Sequence, residues 1–158
     1  MRALVQRVSR AEVRVDGAVR GRIEAGFVLL VGVSPADTVA LAARLAAKVA
    51  ALRLFEDSEG RMNLALADVG GAVLAISQFT LYADVRRGNR PSFSGAAPGD
   101  VAAPVYDAFC AGIEAAGLRC ERGVFGAHME IDLVNDGPVT VIVDSADLER
   151  PRDSKPAT

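Results

Sequence analysis

The sequence predicts a mixed α/β fold: one curved sheet or partial β-barrel with two helices packed outside. Strand-like segments outnumber helical ones, and the two helical stretches arrive as separate interruptions of the strand series. A continuous apolar run, Phe27-Val28-Leu29-Leu30-Val31-Gly32-Val33, has the character of a strand buried on both faces.

Taken in order, residues 3–8 and 12–15 read as short strands. Asp16-Gly17 is a hairpin turn signal from which residues 18–23 return. Gly26 leads into the apolar strand, and Ser34-Pro35-Ala36-Asp37 forms a loop. Over residues 38–53, Leu41, Leu45, Val49 and Leu52 recur at helical spacing, with Arg44 and Lys48 off that stripe. Asp57-Ser58-Glu59-Gly60 is a turn, and Gly70-Gly71 breaks the chain before a second buried strand, Ala72-Val73-Leu74-Ala75-Ile76. Residues 95–99 are a linker of mostly small residues, after which Asp100 is expected to cap a helix reaching Ala116 and ended by Gly117. Met129, Ile131 and Leu133 alternate with Glu130 and Asp132 as in a half-buried strand. A turn at Asn135 precedes the last strand, residues 139–143. Residues 1–146 thus form one domain, and the charged, proline-bearing residues 147–158 read as a disordered tail.

A chain of 158 residues with 51% hydrophobic and 24% charged residues can bury a sizeable core. No apolar run approaches the roughly 18 residues of a membrane span, and no basic segment followed by an apolar run opens the chain. Cys110 and Cys120 fall in no metal-like or redox-like spacing, so reduced thiols in a cytoplasmic protein are expected. The net charge of −2 argues against coating nucleic acid broadly, but Arg86, Arg87 and Arg90 form a local positive loop. Such a cluster is either a solvated face or a grip on one end of an RNA.

Two segments carry the chemistry. Ser77-Gln78-Phe79-Thr80-Leu81 lies where a buried strand emerges from the core, so its polar groups need partners there. In Asn135-Asp136-Gly137-Pro138-Val139-Thr140, Gly137 tolerates dihedrals closed to other residues, and Pro138 permits a cis bond at modest cost. The sole histidine, His128, is not placed in any triad, and packing or surface exposure is its ordinary role. Without a second histidine, an HExxH or paired cysteines, and without a glycine-rich phosphate loop, neither zinc nor a nucleotide cofactor is expected.

These two segments closely resemble the signature motifs of D-aminoacyl-tRNA deacylases. The likeness extends to the opening Met1-Arg2-Ala3-Leu4-Val5-Gln6-Arg7-Val8, to Leu54-Phe55-Glu56-Asp57-Ser58-Glu59-Gly60-Arg61-Met62-Asn63, to Arg87-Gly88-Asn89-Arg90-Pro91-Ser92-Phe93, and to Phe125-Gly126-Ala127-His128-Met129. The tail after Ser145 is longer than the family's usual one, and Tyr82 stands at a position that varies.

The resemblance implies a homodimeric hydrolase that cleaves D-aminoacyl-tRNA, and by extension glycyl esters on the wrong tRNA, at the tRNA 3′ end. Backbone groups near Ser77, Gln78, Phe79 and Thr80 would stabilise the oxyanion, with help from the 2′-hydroxyl of the terminal adenosine. Thr80 as nucleophile is the family's other reading. Gly137-Pro138 would be a cis dipeptide reaching into the partner subunit's site and leaving no room for an L side chain. Phe125 and Met129 would flank the adenine, Gln78 and Phe79 would line the pocket, Arg7 would brace the tip, and Arg86, Arg87 and Arg90 would meet the RNA. Two rivals compete with this reading. A threonine-dependent esterase on small esters would not need the arginine loop. A non-catalytic RNA-end-binding module would need stacking aromatics, yet aromatics are 5% of the chain and tryptophan is absent.

Overall fold

The computed structural model describes residues 1–150 and is a mixed α/β domain with a nearly closed, barrel-like sheet. Its organising element is β1 (Arg2–Val15), a single 14-residue strand where two short ones were expected. Buried apolar residues run its whole length, Ala3 and Val5 in one apolar cluster and Val8, Ala11 and Val13 in another, so the strand is held from end to end. One edge of β1 pairs with β2 (Ala18–Ile23) through the Asp16-Gly17 hairpin and with β3 (Gly26–Gly32). Along its other edge runs β8 (Glu130–Asp144), antiparallel over nearly its full length. Next to β3 lies β6 (Ala72–Ser77), and next to β6 lies β7 (Cys120–Arg122), both parallel pairings. A small hairpin, β4 (Phe55–Glu56) with β5 (Met62–Leu64), stands apart from this sheet.

Parallel neighbours need crossovers, and each here carries a helix. Helix α1 (Val39–Ala50) falls between β3 and β6, and α2 (Gly99–Ala115) between β6 and β7. Thr38 caps α1 by accepting a hydrogen bond from the Leu41 amide at 3.2 Å. The expected cap of α2 is corrected: Pro98 is its N-cap, and Asp100 lies inside the first turn, where its charge still complements the free amides. The helices share one face of the sheet and meet at Gly112, where an added Cβ would come within 2.7 Å of the Ala46 methyl. Only glycine lets the two backbones approach so closely.

Two apolar clusters result. One lies between helices and sheet around Phe27, Leu29, Leu45, Phe109 and Ile113. A second fills the curl of the sheet with Val8, Val13, Ile23, Val28, Leu74 and Ile76, and Met129, Ile131 and Leu133 close over it. Closure is tight at Gly21 of β2, whose added Cβ would stand 3.0 Å from Leu74 and 3.2 Å from the Arg122 carbonyl.

The C-terminal boundary differs from expectation. Residues 145–148 form a short 3-10 turn, with Leu148 against the helix-side core. Ser145 anchors it through the Met1 α-amino group, which also meets Asp37 at 2.6 Å. The rest of the expected tail, residues 151–158, lies outside the described residues. No helix among the described residues is long and apolar enough to cross a membrane.

Candidate active site

Strand β6 ends at Ser77, in register with Val31 of β3, and the Gln78 amide makes one more sheet-like bond to the Val31 carbonyl at 2.8 Å. The chain then winds into a 3-10 turn, Phe79–Tyr82, closed by Leu81 N–H on the Gln78 carbonyl at 3.3 Å. A helical start leaves its first amides without acceptors. The N–H groups of Phe79 and Thr80 accordingly have no hydrogen-bond acceptor among the described residues.

Here the fold opens a cavity of about 400 Å³. Ser77, Gln78 and Phe79 border it on one side, Tyr106 of α2 and Gly99 at that helix's start on another, and Phe125, His128 and Met129 of the loop before β8 on the third. Val31 and Ile76 bring the two apolar cores to its base. Phe79 is 57% exposed and meets Phe93 edge-on, with ring centres 5.1 Å apart. Phe125 leans on Tyr106 at 5.9 Å, and the Tyr106 hydroxyl donates to the Ala75 carbonyl at 2.9 Å.

Thr80 stands beside the cavity without bordering it, and its hydroxyl accepts from the Gln78 carboxamide. No histidine or carboxylate touches that hydroxyl among the described residues. Arg2 pins the far end of the turn, donating to the Leu81 carbonyl at 2.8 Å and stacking 4.5 Å over the Tyr82 ring. Burial, reinforced by the Asp37 carboxylate, pushes the Tyr82 phenol up to about 12.

Residues 84–92 double back through an Asp84–Ser92 bridge and enclose a second hollow of about 440 Å³, lined by Asp84, Arg86, Arg87, Arg90 and Ser92. The three arginines are unequal. Arg86 clamps Asp84 at 2.6 Å, and that guanidinium, with the Arg86 amide, holds the Asp84 carboxyl below the usual carboxylate range. Arg87 and Arg90 have no carboxylate partner among the described residues.

The Asn135 segment corrects the expected turn: it does not separate two strands but bulges out of β8. Gln6 faces Thr140 and Val8 faces Asn135, so four residues, 136–139, oppose Arg7 alone. The Gly137-Pro138 bond is cis, and Gly137 has φ +138. Asn135 ties the base of the bulge with its side chain, whose Oδ1 accepts from Val139 N–H at 3.0 Å and whose Nδ2 donates to the Thr140 hydroxyl at 2.9 Å. Beneath lies Arg7, only 6% exposed, donating to the Asp136 carbonyl at 3.0 Å and the Leu54 carbonyl at 2.7 Å. Neither Gly137 nor Pro138 borders the cavity of its own chain. Arg7 is in register with Phe27, four residues down β3 from the Val31 that faces Ser77.

Sequence reasoning did not find Tyr106, and it expected backbone donors near Ser77 to Thr80 only through the family resemblance. Tyr106 reads as core because it lies on the apolar stripe of α2, and a backbone N–H leaves no trace in residue type.

A family model described as D-Tyr-tRNA(Tyr) deacylase matches residues 4–144. A D-aminoacyl-tRNA deacylase of Anaeromyxobacter dehalogenans (strain 2CP-C) is 59% identical over 148 residues, covering 94% of this chain and 99% of the relative. One from Thermus aquaticus is 55% identical, covering 93% and 97%. Among solved structures, a c-Myc DNA unwinding element binding protein superposes with a TM-score of 0.84 at 36% identity, covering 91% of this chain and 98% of that one. A probable eukaryotic D-amino acid tRNA deacylase superposes at 0.77 with 18% identity, covering 90% and 97%, a likeness of fold alone.

Proposed function

The chain belongs to the D-Tyr-tRNA(Tyr) deacylase family, and we propose that it hydrolyses the ester bond of D-aminoacyl-tRNA, releasing free D-amino acid and tRNA. The observation that carries this reading is the pair of unpaired amides, Phe79 and Thr80, beside a cavity with an apolar base. An aminoacyl ester is already activated, so its cleavage needs a positioned water and donors for the developing oxyanion. Two fixed N–H groups meet the second need without a catalytic side chain. The 2′-hydroxyl of the terminal adenosine assists the attack, Phe125 and Met129 flank the adenine, and Gln78 and Phe79 line the acyl pocket.

Selectivity comes from a second copy of the chain. Its Gly137-Pro138 carbonyls approach the substrate α-carbon and leave no space on the side where an L side chain would project. Exclusion by a clash discriminates further than an attractive pocket, in which one methylene is worth only about 1–3 kcal/mol. Glycyl-tRNA, with no side chain to exclude, is a further substrate. Two features support a homodimer: the tip does not border its own cavity, and the helix-free face of the sheet exposes Ile142 by 67% beside Leu4. Arg86, Arg87 and Arg90 meet the phosphates of the 3′ end, and the enzyme works in the cytoplasm, where its substrate is made.

A threonine-dependent esterase is the weaker reading, because the Thr80 hydroxyl has only a carboxamide beside it and no base to remove its proton. Incubation with D- and L-tyrosyl-tRNA tests the proposal. Release of tyrosine from the D-ester alone, slowed at least a hundredfold by a 2′-deoxy terminal adenosine, is the expected outcome. Equal release from both esters would remove the sieve, and a normal rate on the deoxy substrate would remove the RNA's part in the chemistry.

A further inference from the structure

Three phenylalanines are exposed among the described residues, Phe79, Phe93 and Phe125, and Phe93 alone borders neither hollow. It lies between the two. On one side Phe93 follows Ser92, which lines the arginine hollow. On the other its ring meets Phe79, at the wall of the ester cavity, with centres 5.1 Å apart and planes at 76°. The backbone is fixed on both sides of it. Before it the Asp84–Ser92 bridge closes with bonds of 2.7 and 2.9 Å, and after it Ala96 N–H donates to the Phe93 carbonyl at 3.0 Å. Ala97 then donates to the Val33 carbonyl at 2.9 Å, tying the segment to the cavity wall. Single exposed apolar side chains are common on any protein surface. Phe93 differs because a second ring braces it, and because Arg87 and Arg90, without carboxylate partners among the described residues, stand in the adjoining hollow.

We propose that Phe93, braced by Phe79, is a stacking platform for the penultimate base of the RNA 3′ end. The proposal rests on the deacylase reading and extends it by one nucleotide. With the terminal adenosine in the cavity and upstream phosphates at Arg87 and Arg90, the nucleotide between them passes over Phe93. A charged groove that follows the backbone, with an aromatic face under a base, holds single-stranded RNA without reading its sequence. The Phe93 side chain has no hydrogen-bonding group, so this contact registers that a base is present, not which one. Its effect is to favour an ester carried on RNA over the same ester on a lone adenosine.

The test uses D-tyrosyl-tRNA in two forms, one intact and one whose penultimate nucleotide keeps its ribose and phosphate but lacks its base. The parent protein should show a KM about tenfold higher for the abasic form. Phe93→Leu should show the raised KM on both forms, leaving a ratio below about two, and Phe93→Tyr should keep the parent's ratio. Phe93→Met serves where Phe93→Leu does not fold. A ring that only supports the fold would affect both forms alike and leave their ratio at about ten. That result, or equal KM values for the two forms in the parent, overturns the platform. So does gel filtration in which Phe93→Leu changes the number of copies in the assembly, since the ring then belongs to a contact between chains. Failure of the parent to cleave even the intact ester overturns the deacylase reading itself, an outcome distinct from cleavage without the abasic penalty.

Discussion

Residues 77–82 continue a buried strand and border a cavity of their own chain, whereas residues 135–140 bulge from a paired strand and border no part of it. The first segment is held at its ends, by the Gln78–Val31 bond and by Arg2 on Leu81, and leaves two amides in its middle unpaired. The second is held from within, by Asn135 across its base and by Arg7 beneath it. Polar groups left without partners inside a protein raise its free energy unless something else meets them. On the proposed reading the contrast gives the two regions different tasks, one to receive the ester and the other to project rigidly.

The largest effect is expected where the projection loses its support. Arg7→Met keeps the apolar stem but strands the Asp136 and Leu54 carbonyls, each losing a bond to a charged donor. Stability in urea should fall by about 3 kcal/mol, and the preference for D- over L-tyrosyl-tRNA should narrow at least tenfold as the tip loosens. Lost stability with an unchanged preference would separate the bulge from selectivity altogether.

A smaller change is expected at the arginine loop. Because Arg86 is already engaged by Asp84, charge available to RNA resides in Arg87 and Arg90. Replacing both with Ala should raise KM for charged tRNA about tenfold and flatten its salt dependence by about one to two logarithmic units per decade. The rate at saturation should not change. Arg86→Ala should do less than either, and an equal effect would mean that Asp84 releases it on binding.

These contrasts also mark what could be read from residue order. The buried apolar residues of β1, the continuous apolar run of β6, the Asp16-Gly17 turn and the stripe of α1 are local signals, and the strands and helices follow from them. What failed was non-local. That residues 130–144 are one bulged strand depends on both halves finding β1, and nothing within the segment records its partner. The unequal arginines likewise follow from an aspartate placed by the Asp84–Ser92 bridge.

Returning to the segment after β6, Thr80→Ala removes the hydroxyl but neither amide. Activity on D-tyrosyl-tRNA should stay within about fivefold of the parent if the backbone supplies the oxyanion donors. Complete loss in a folded protein would move the chemistry onto the side chain.

The gentlest probe of that segment is its own phenol. Tyr82 closes the 3-10 turn, and burial, with Asp37 close by, holds its pKa near 12, against Arg2 and Ser34, which favour the phenolate. An unfolded tyrosine ionises near 10, so the folded state binds this proton more tightly. The resulting stability is fully present below about pH 10 and is lost as pH rises from there through 12. Tyr106, the other tyrosine of the chain, is pushed up further by its burial in the helix-side core. The native protein should therefore show almost no tyrosinate absorbance at about pH 10.5, where a free phenol is more than half ionised. Absorbance should appear only as Tyr82 titrates or the fold opens, and Tyr82→Phe should delay the first rise. Ordinary titration near pH 10 in a folded protein would mean that the turn is open to water, and that its two amides are already solvated rather than reserved for a ligand.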